Sequence, residues 1–173
     1  MRTIIITAAA AALLGGCGGE APLENQATTR AASLTPGEYE LTWTVADVKS
    51  ADEATPATSL QAGAPATTTR TCVGPDNAIE PAAFAEASDT CTPNEKYIKN
   101  GRMSLQLKCK RAGKSGQVMQ GIDGDFTADG FEATVLGSTG FGGSGDYNMT
   151  RKVVGKRIGD CPAGGAADGN AAG

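Results

Sequence analysis

Three aspartates and one glycine-rich run are the first places in this 173-residue chain where residue type and spacing suggest chemistry. Asp123, Asp125 and Asp129 begin like a calcium loop, but such a loop wants a third ligand where Thr127 stands and a glycine where Ala128 stands. They read instead as hairpin residues. As a pair, Asp123 and Asp125 are the candidate for a carboxylate-dependent hydrolase, which needs a cleft and a raised pKa on one member. The run Gly140-Phe141-Gly142-Gly143-Ser144-Gly145 has the composition of a phosphate cradle. It joins strand to strand, however, and no helix N-terminus follows to receive a phosphate, so it reads as a flexible connection. The chain contains no histidine. Ser-His-Asp triads, Cys-His pairs and histidine-based metal sites are therefore excluded.

The most informative reactive residue is Cys17. The stretch Leu13-Leu14-Gly15-Gly16-Cys17, preceded by Arg2 and an apolar run from Ile4 to Leu14, resembles the lipobox of bacterial lipoproteins. The run is shorter than the roughly 20 apolar residues that span a bilayer. The resemblance implies a signal peptide over residues 1–16 that is cleaved, and a thioether-linked diacylglycerol plus an N-acyl group on Cys17. Several acyl chains hold a protein at a membrane where one does so only marginally. The expected location is the cell envelope, lipid-anchored and periplasm-facing. Gly18 and Gly19, in place of an acidic residue, favour the outer membrane over the inner.

Cys72, Cys91, Cys109 and Cys161 remain, an even number in a chain expected to be exported, so two disulfides are expected. A four-cysteine zinc site is the competing reading, and it lacks any C-x-x-C pair. Three connectivities are possible. Cys91 with Cys109, bracketing the Asn100-Gly101 turn, and Cys72 with Cys161, tying the last strand to the second, are preferred.

The elements that would position these residues are strands. Residues 17–34 are polar and small, as a tether would be, with a flexible reach of about 20–25 Å. The single domain is expected at residues 35–161, and residues 162–173, PAGGAADGNAAG, read as a disordered tail. Tyr39, Leu41, Trp43 and Val45 alternate with polar residues, the period of a half-buried strand, with Trp43 facing the core. Residues 50–66 read as a surface loop and Thr67 to Val73 as a second strand. Pro75 to Ala87 reads as one short helix, with Pro81 in its first turn. Lys96 to Ile98 is expected as a third strand. Asn100-Gly101 is a two-residue hairpin turn, after which Met103, Leu105, Leu107 and Cys109 point inward. Strands over Val118–Phe126 and Phe131–Leu136 are joined at Asp129-Gly130. A glycine-rich connection over residues 137–145 then leads to a last strand over Tyr147–Ile158. Hairpins in succession make an antiparallel sheet, because parallel strands would need crossover helices. The fold class is mainly β: a strongly curved sheet or partly open barrel of about seven strands, one short helix and two disulfides.

Charge is unevenly spread. The net charge is −4, one unit more negative once Arg2 leaves with the signal peptide, which disfavours nucleic-acid binding. Lys96, Lys99, Arg102, Lys108, Lys110, Arg111 and Lys114 make one hairpin basic, and Asp123, Asp125, Asp129 and Glu132 make the next acidic. Adjacency of these hairpins would explain the pattern by cross-strand attraction. The sharper reading is that Lys108, Lys110 and Arg111 contact an anionic surface, either lipid head groups or cell-wall polymer.

The segment Pro36-Gly37-Glu38-Tyr39-Glu40-Leu41-Thr42, the spaced Cys72, Cys91 and Cys109, and the closing Arg157-Ile158-Gly159-Asp160-Cys161 are together similar to the bacterial domain of unknown function 3617 family. The resemblance covers residues from Thr35 to Cys161. It implies an exported protein or lipoprotein without an assigned activity, so no catalytic residue and no cofactor carries over. The functional expectation is a non-enzymatic envelope lipoprotein that binds a protein partner or a small ligand, with the membrane as its other contact. An inhibitor of a secreted enzyme such as a lysozyme, and a carboxylate-dependent hydrolase, are the alternatives.

Overall fold

The computed structural model describes residues 31–163. The expected lipidation site Cys17, the expected signal peptide, most of the expected tether and nearly all of the expected tail lie outside the described residues. Eight strands form one antiparallel sheet: β1 (Gly37–Ser50), β2 (Thr67–Gly74), β3 (Ala78–Ile79), β4 (Asp89–Lys99), β5 (Arg102–Arg111), β6 (Gly116–Phe126), β7 (Gly130–Phe141) and β8 (Tyr147–Gly159). Their order across the sheet is β3-β2-β1-β8-β7-β6-β5-β4. The sheet therefore runs as a meander from β4 to β8, then returns to the first strand. Right-handed strand twist curls so many neighbours into a half-barrel whose outer strands, β3 and β4, do not pair with each other.

Strand alternation decides which face each side chain takes. Tyr39, Leu41 and Trp43 of β1, Met103, Leu105, Leu107 and Cys109 of β5, and Val118 and Ile122 of β6 are buried on the concave face, where their period of two put them. The opposite face of the same strands is solvated. Inside, Trp43 meets the edge of Phe84 at 6.2 Å between ring centroids, and Phe131 lies between Phe84 and Tyr39. Phe131 stands directly across from Gly155 of β8. A Cβ on that glycine would come within 2.3 Å of the ring, so the missing side chain is what admits the aromatic.

The expected helix over Pro75–Ala87 is absent. Two 3-10 turns, Pro75–Asn77 and Pro81–Phe84, flank the two-residue β3, which is also why the sheet has eight strands rather than seven. Asp76 and Asn77 take positive φ, at 57° and 56°, which interrupts any helix. Tertiary hydrogen bonds then fix the segment. Asn77 accepts the Leu34 amide through Oδ1 at 2.7 Å and donates from Nδ2 to the Ile98 carbonyl at 3.0 Å. One side chain thus joins the start of the domain, the turn beside β3 and the far strand β4, bridging the seam of the half-barrel.

Two further boundaries move. The third long strand begins at Asp89 rather than Lys96, and β7 continues through Gly137 to Phe141, so half of the expected glycine-rich connection is strand. Leu34, placed in the tether by composition, is buried in the core. Both disulfides pair as preferred, Cys72 with Cys161 and Cys91 with Cys109. The second links residues directly opposite each other on β4 and β5.

Candidate functional site

The densest cluster of charged side chains lies inside the half-barrel. Arg111 ends the inward-pointing series of β5 and is buried, not surface-exposed: its side chain is 6% accessible. This corrects its assignment to an anionic-surface contact. Arg111 donates from Nε and Nη2 to the two oxygens of Asp89, at 2.7 and 2.9 Å. The same Nη2 lies 2.7 Å from Glu86 Oε1, and Nη1 donates to the Ala57 carbonyl at 2.6 Å and to the Tyr147 hydroxyl at 2.8 Å. Tyr147 in turn donates to Glu86, whose second oxygen accepts from Thr58 Oγ1 at 2.6 Å. The guanidinium sits over the rings of Phe141 and Tyr147, both at 5.6 Å.

A second guanidinium balances the charge. Arg151, inward on β8, stacks on Trp43 at 4.7 Å and donates to the Phe84 carbonyl at 2.5 Å. Two arginines and two carboxylates leave the interior close to neutral, as burial requires. Burial opposes the charge on Arg111, but its hydrogen bonds to Asp89 and Glu86 outweigh it and hold its pKa above the ordinary arginine value. On Arg151 burial prevails over the Glu86 charge, and its pKa is drawn below that value. Burial, followed by the Glu86 carboxylate, pushes the Tyr147 hydroxyl up.

Chemically this cluster is a brace. Every carboxylate in it is engaged, and it fastens two segments outside the long strands, residues 51–66 and 80–88, to the inner face of the sheet. A hydroxyl–carboxylate–guanidinium group could move protons in a cleft, but here it is sealed under those segments. Sequence reasoning missed Glu86, Asp89 and Arg151. The inward phase of β8, set by Tyr147, Met149 and Val153, carried the signal for Arg151, just as the phase of β5 did for Arg111.

The other residues singled out by sequence are on the outside. Asp123 and Asp125 point outward from β6, and Asp129 lies in the turn before β7. Asp125 faces Arg102 of β5 on one side and Glu132 of β7 on the other. Asp123, Asp125 and Glu132, with Lys152 and Lys156, line an open groove of about 760 Å³ on the outer face. Among the described residues, no group of three His, Cys, Asp or Glu is placed to hold a metal ion. Lys108 and Lys110 are exposed on the same face, across from Thr92 and Thr90 of β4. The expected hairpin adjacency is present, with Arg102 opposite Asp125, but the remaining lysines of β5 face no acid.

The glycine-rich turn is not a free cradle of amides. Asp52 accepts the Gly145 amide at 2.7 Å and the Asp146 amide at 3.1 Å, and Asp146 accepts the Phe141 amide at 2.8 Å. The bond from the Asp146 amide, joined by those from the Gly145 and Ala54 amides and the Ser50 hydroxyl, keeps the Asp52 carboxyl below the usual carboxylate range against the opposing effect of burial.

No curated protein and no solved structure matches the chain. The model of the family described as "Protein of unknown function (DUF3617)" matches residues 34–161. That span begins at the first core residue, Leu34, and ends at the disulfide cysteine of the last segment, so it coincides with the half-barrel. The chain belongs to the DUF3617 family.

Proposed function

We propose that this protein is a non-enzymatic lipoprotein of the cell envelope, anchored through Cys17 and facing the periplasm, whose half-barrel is an interaction module with its working surface on the outer face of the sheet. The observation that carries this reading is the filled interior. Tyr39, Trp43, Phe84, Phe131 and Met149 occupy the concavity, and Arg111, Glu86 and Asp89 within it are spent on the brace. A small-molecule carrier keeps its concave face open; here that face is closed by the chain itself. The outer face, by contrast, carries open grooves and solvent-exposed apolar side chains, Leu136 at 56% and Val154 at 47% accessible.

Leu136 is well placed for a partner. It lies on β7, inside the sheet, with Gly121 directly across on β6, so nothing shields that flank. A photoreactive residue at position 136, introduced into the lipidated protein in intact cells, should give a discrete adduct, whereas one at Gln61 in the exposed loop should not. Adducts from Gln61 but none from 136 would refute the outer-face assignment. A hydrolytic activity that disappears in Asp125→Asn would refute the non-enzymatic one. The mass of the protein extracted from its own membranes tests the anchor, since acylation at Cys17 adds a defined increment.

A further inference from the structure

The outer face sorts its charges by position along the strands. At the end where β6 turns into β7, acids and bases are mixed: Arg102 faces Asp125, and Asp123, Glu132, Lys152 and Lys156 share one groove. At the other end the bases stand alone. Lys108 has Thr92 on one side and Met119 on the other, and Lys110 is across from Thr90. Among the described residues no carboxylate lies within ion-pair distance of either lysine. The nearest outward acid on β4, Glu95, is opposite Gln106 instead. Asp89, which begins β4 at this end, is fully buried and taken by Arg111. Its strand phase puts it on the inner face with Arg111, so it does not reach the lysines outside.

A second open groove, of about 610 Å³, runs between these lysines and the glycines of the neighbouring strands. Its walls carry the Thr90 and Thr92 hydroxyls and the Gln117 amide, and its floor is bare backbone at Gly116 and Gly140. A Cβ on Gly140 would meet nothing within 4 Å, so the floor is open to a ligand at that residue, whereas one on Gly116 would strike the Gly140 carbonyl. No apolar side chain larger than glycine lines the groove. Interfacial membrane binding combines basic residues with apolar ones that enter the acyl boundary, and this groove supplies only the first.

Position points the same way. Thr35 donates its amide to the Ala128 carbonyl, so the start of the domain sits at the β6–β7 turn, beside Arg102. Lys110 is eight residues further along β5, about 27 Å away. A tether leaving through Leu34 starts at the end opposite to the lysines.

We propose that this corner binds an anionic polysaccharide, a glycan strand bearing carboxylate or phosphate groups, with Lys108 and Lys110 meeting its charges and Thr90, Thr92 and Gln117 its hydroxyls. The inference rests on the interaction-module reading and names the partner class for one end of the outer face. The test uses the full chain carrying Cys17→Ala, so that no acyl chain contributes, titrated onto purified cell-wall sacculi and separated by sedimentation. Lys108→Gln with Lys110→Gln should weaken binding about twenty-fivefold at low salt, on the order of fivefold per lysine, and flatten its salt dependence. Both positions are exposed, so the thermal midpoint of the variant should match the parent. Arg102→Gln with Lys152→Gln, at the mixed end, should leave binding within about twofold of the parent. Parent-like binding by the lysine variant would overturn the proposal, as would failure of the parent to pellet with sacculi. Tighter, lysine-dependent binding to equimolar phosphatidylglycerol and phosphatidylethanolamine vesicles would also overturn it and give the corner to a membrane. In any of these outcomes, persistence of the adduct at position 136 would leave the interaction module standing.

Discussion

Replacing Arg111 with methionine is the perturbation that tests the interior brace most directly. The variant keeps much of the side chain's apolar bulk but removes all five polar contacts, leaving Glu86 and Asp89 with side chains only 8% and 0% accessible. Removing one partner of a buried pair costs about 3–5 kcal/mol because the other charge stays buried without compensation. Two carboxylates would be stranded here, which pushes the cost up, while the nearby charge of Arg151 offsets part of it. About 4 kcal/mol is therefore expected, a large share of the roughly 5–15 kcal/mol that stabilises a domain. At this size it should lower the thermal midpoint by about 12–20 °C. The assay is urea and thermal unfolding followed by far-ultraviolet circular dichroism with disulfides intact. Adding Glu86→Gln and Asp89→Asn to Arg111→Met should recover most of the loss, since amides are far cheaper to bury than unpaired carboxylates. Arg111→Lys should fall between, keeping the charge but not the two-pronged bond to Asp89. Raising salt from about 0.05 to about 0.5 M should barely change the difference, because the group is shielded from solvent. A loss under about 1 kcal/mol for Arg111→Met, or no recovery in the triple variant, would refute the brace.

The two disulfides should differ in weight. They close loops of 18 and 89 residues, so on the chain-entropy model removing Cys91–Cys109 costs about 3 kcal/mol and removing Cys72–Cys161 about 4.5. Paired alanine variants compared by urea midpoint check the order. Stability should also fall in alkali. Burial pushes the hydroxyls of Tyr39 and Tyr147 above their ordinary value of about 10, with Asp129 and Glu86 respectively adding to it, so the fold retains protons that the unfolded chain gives up. That stabilisation is complete below about pH 10 and is lost as pH rises through the higher folded-state values. Tyr147→Phe should flatten the decline in urea midpoint above pH 10, and an unchanged slope would discount Tyr147 as its source. At the seam, Asn77→Gly keeps the positive φ but loses both side-chain hydrogen bonds, at a cost of about 1–3 kcal/mol. Asn77→Asp should cost at least as much, because a carboxylate would then face the Ile98 carbonyl; parent-like stability in both variants would show that the seam bridge contributes nothing.

The sheet was largely legible because its signals are local. Tyr39-x-Leu41-x-Trp43 and Met103-x-Leu105-x-Leu107-x-Cys109 state their faces by alternation alone, and Asn100-Gly101 states its turn. The same alternation placed Arg111 and Arg151 inside, yet charge invites a surface reading and only the fold brings Glu86 and Asp89 to meet them. Glu86 was invisible for a related reason. It stands in an alanine-rich stretch whose proline and alanines suit a helix, but a segment this short cannot repay helix nucleation by itself. Long-range bonds through Asn77 and Glu86 outweigh that propensity. Lys108 and Lys110 lie exposed on the outer face, while the division between a neutralised end and a bare end required the strand register.

The return of β8 to pair with β1 has a kinetic meaning. Every other long strand finds its partner in the hairpin that precedes or follows it, so β4 to β8 can assemble through short loop closures. The β1–β8 ladder, from Glu38 opposite Gly159 to Ser50 opposite Tyr147, requires the two ends of the domain to meet. Contacts of such sequence separation form slowly. The N-terminal strand is the first to be synthesised, and its largest partner is the last. Commitment to the native topology therefore comes only when the chain is complete, and the Cys72–Cys161 bond, just beyond that ladder, records that the ends have met.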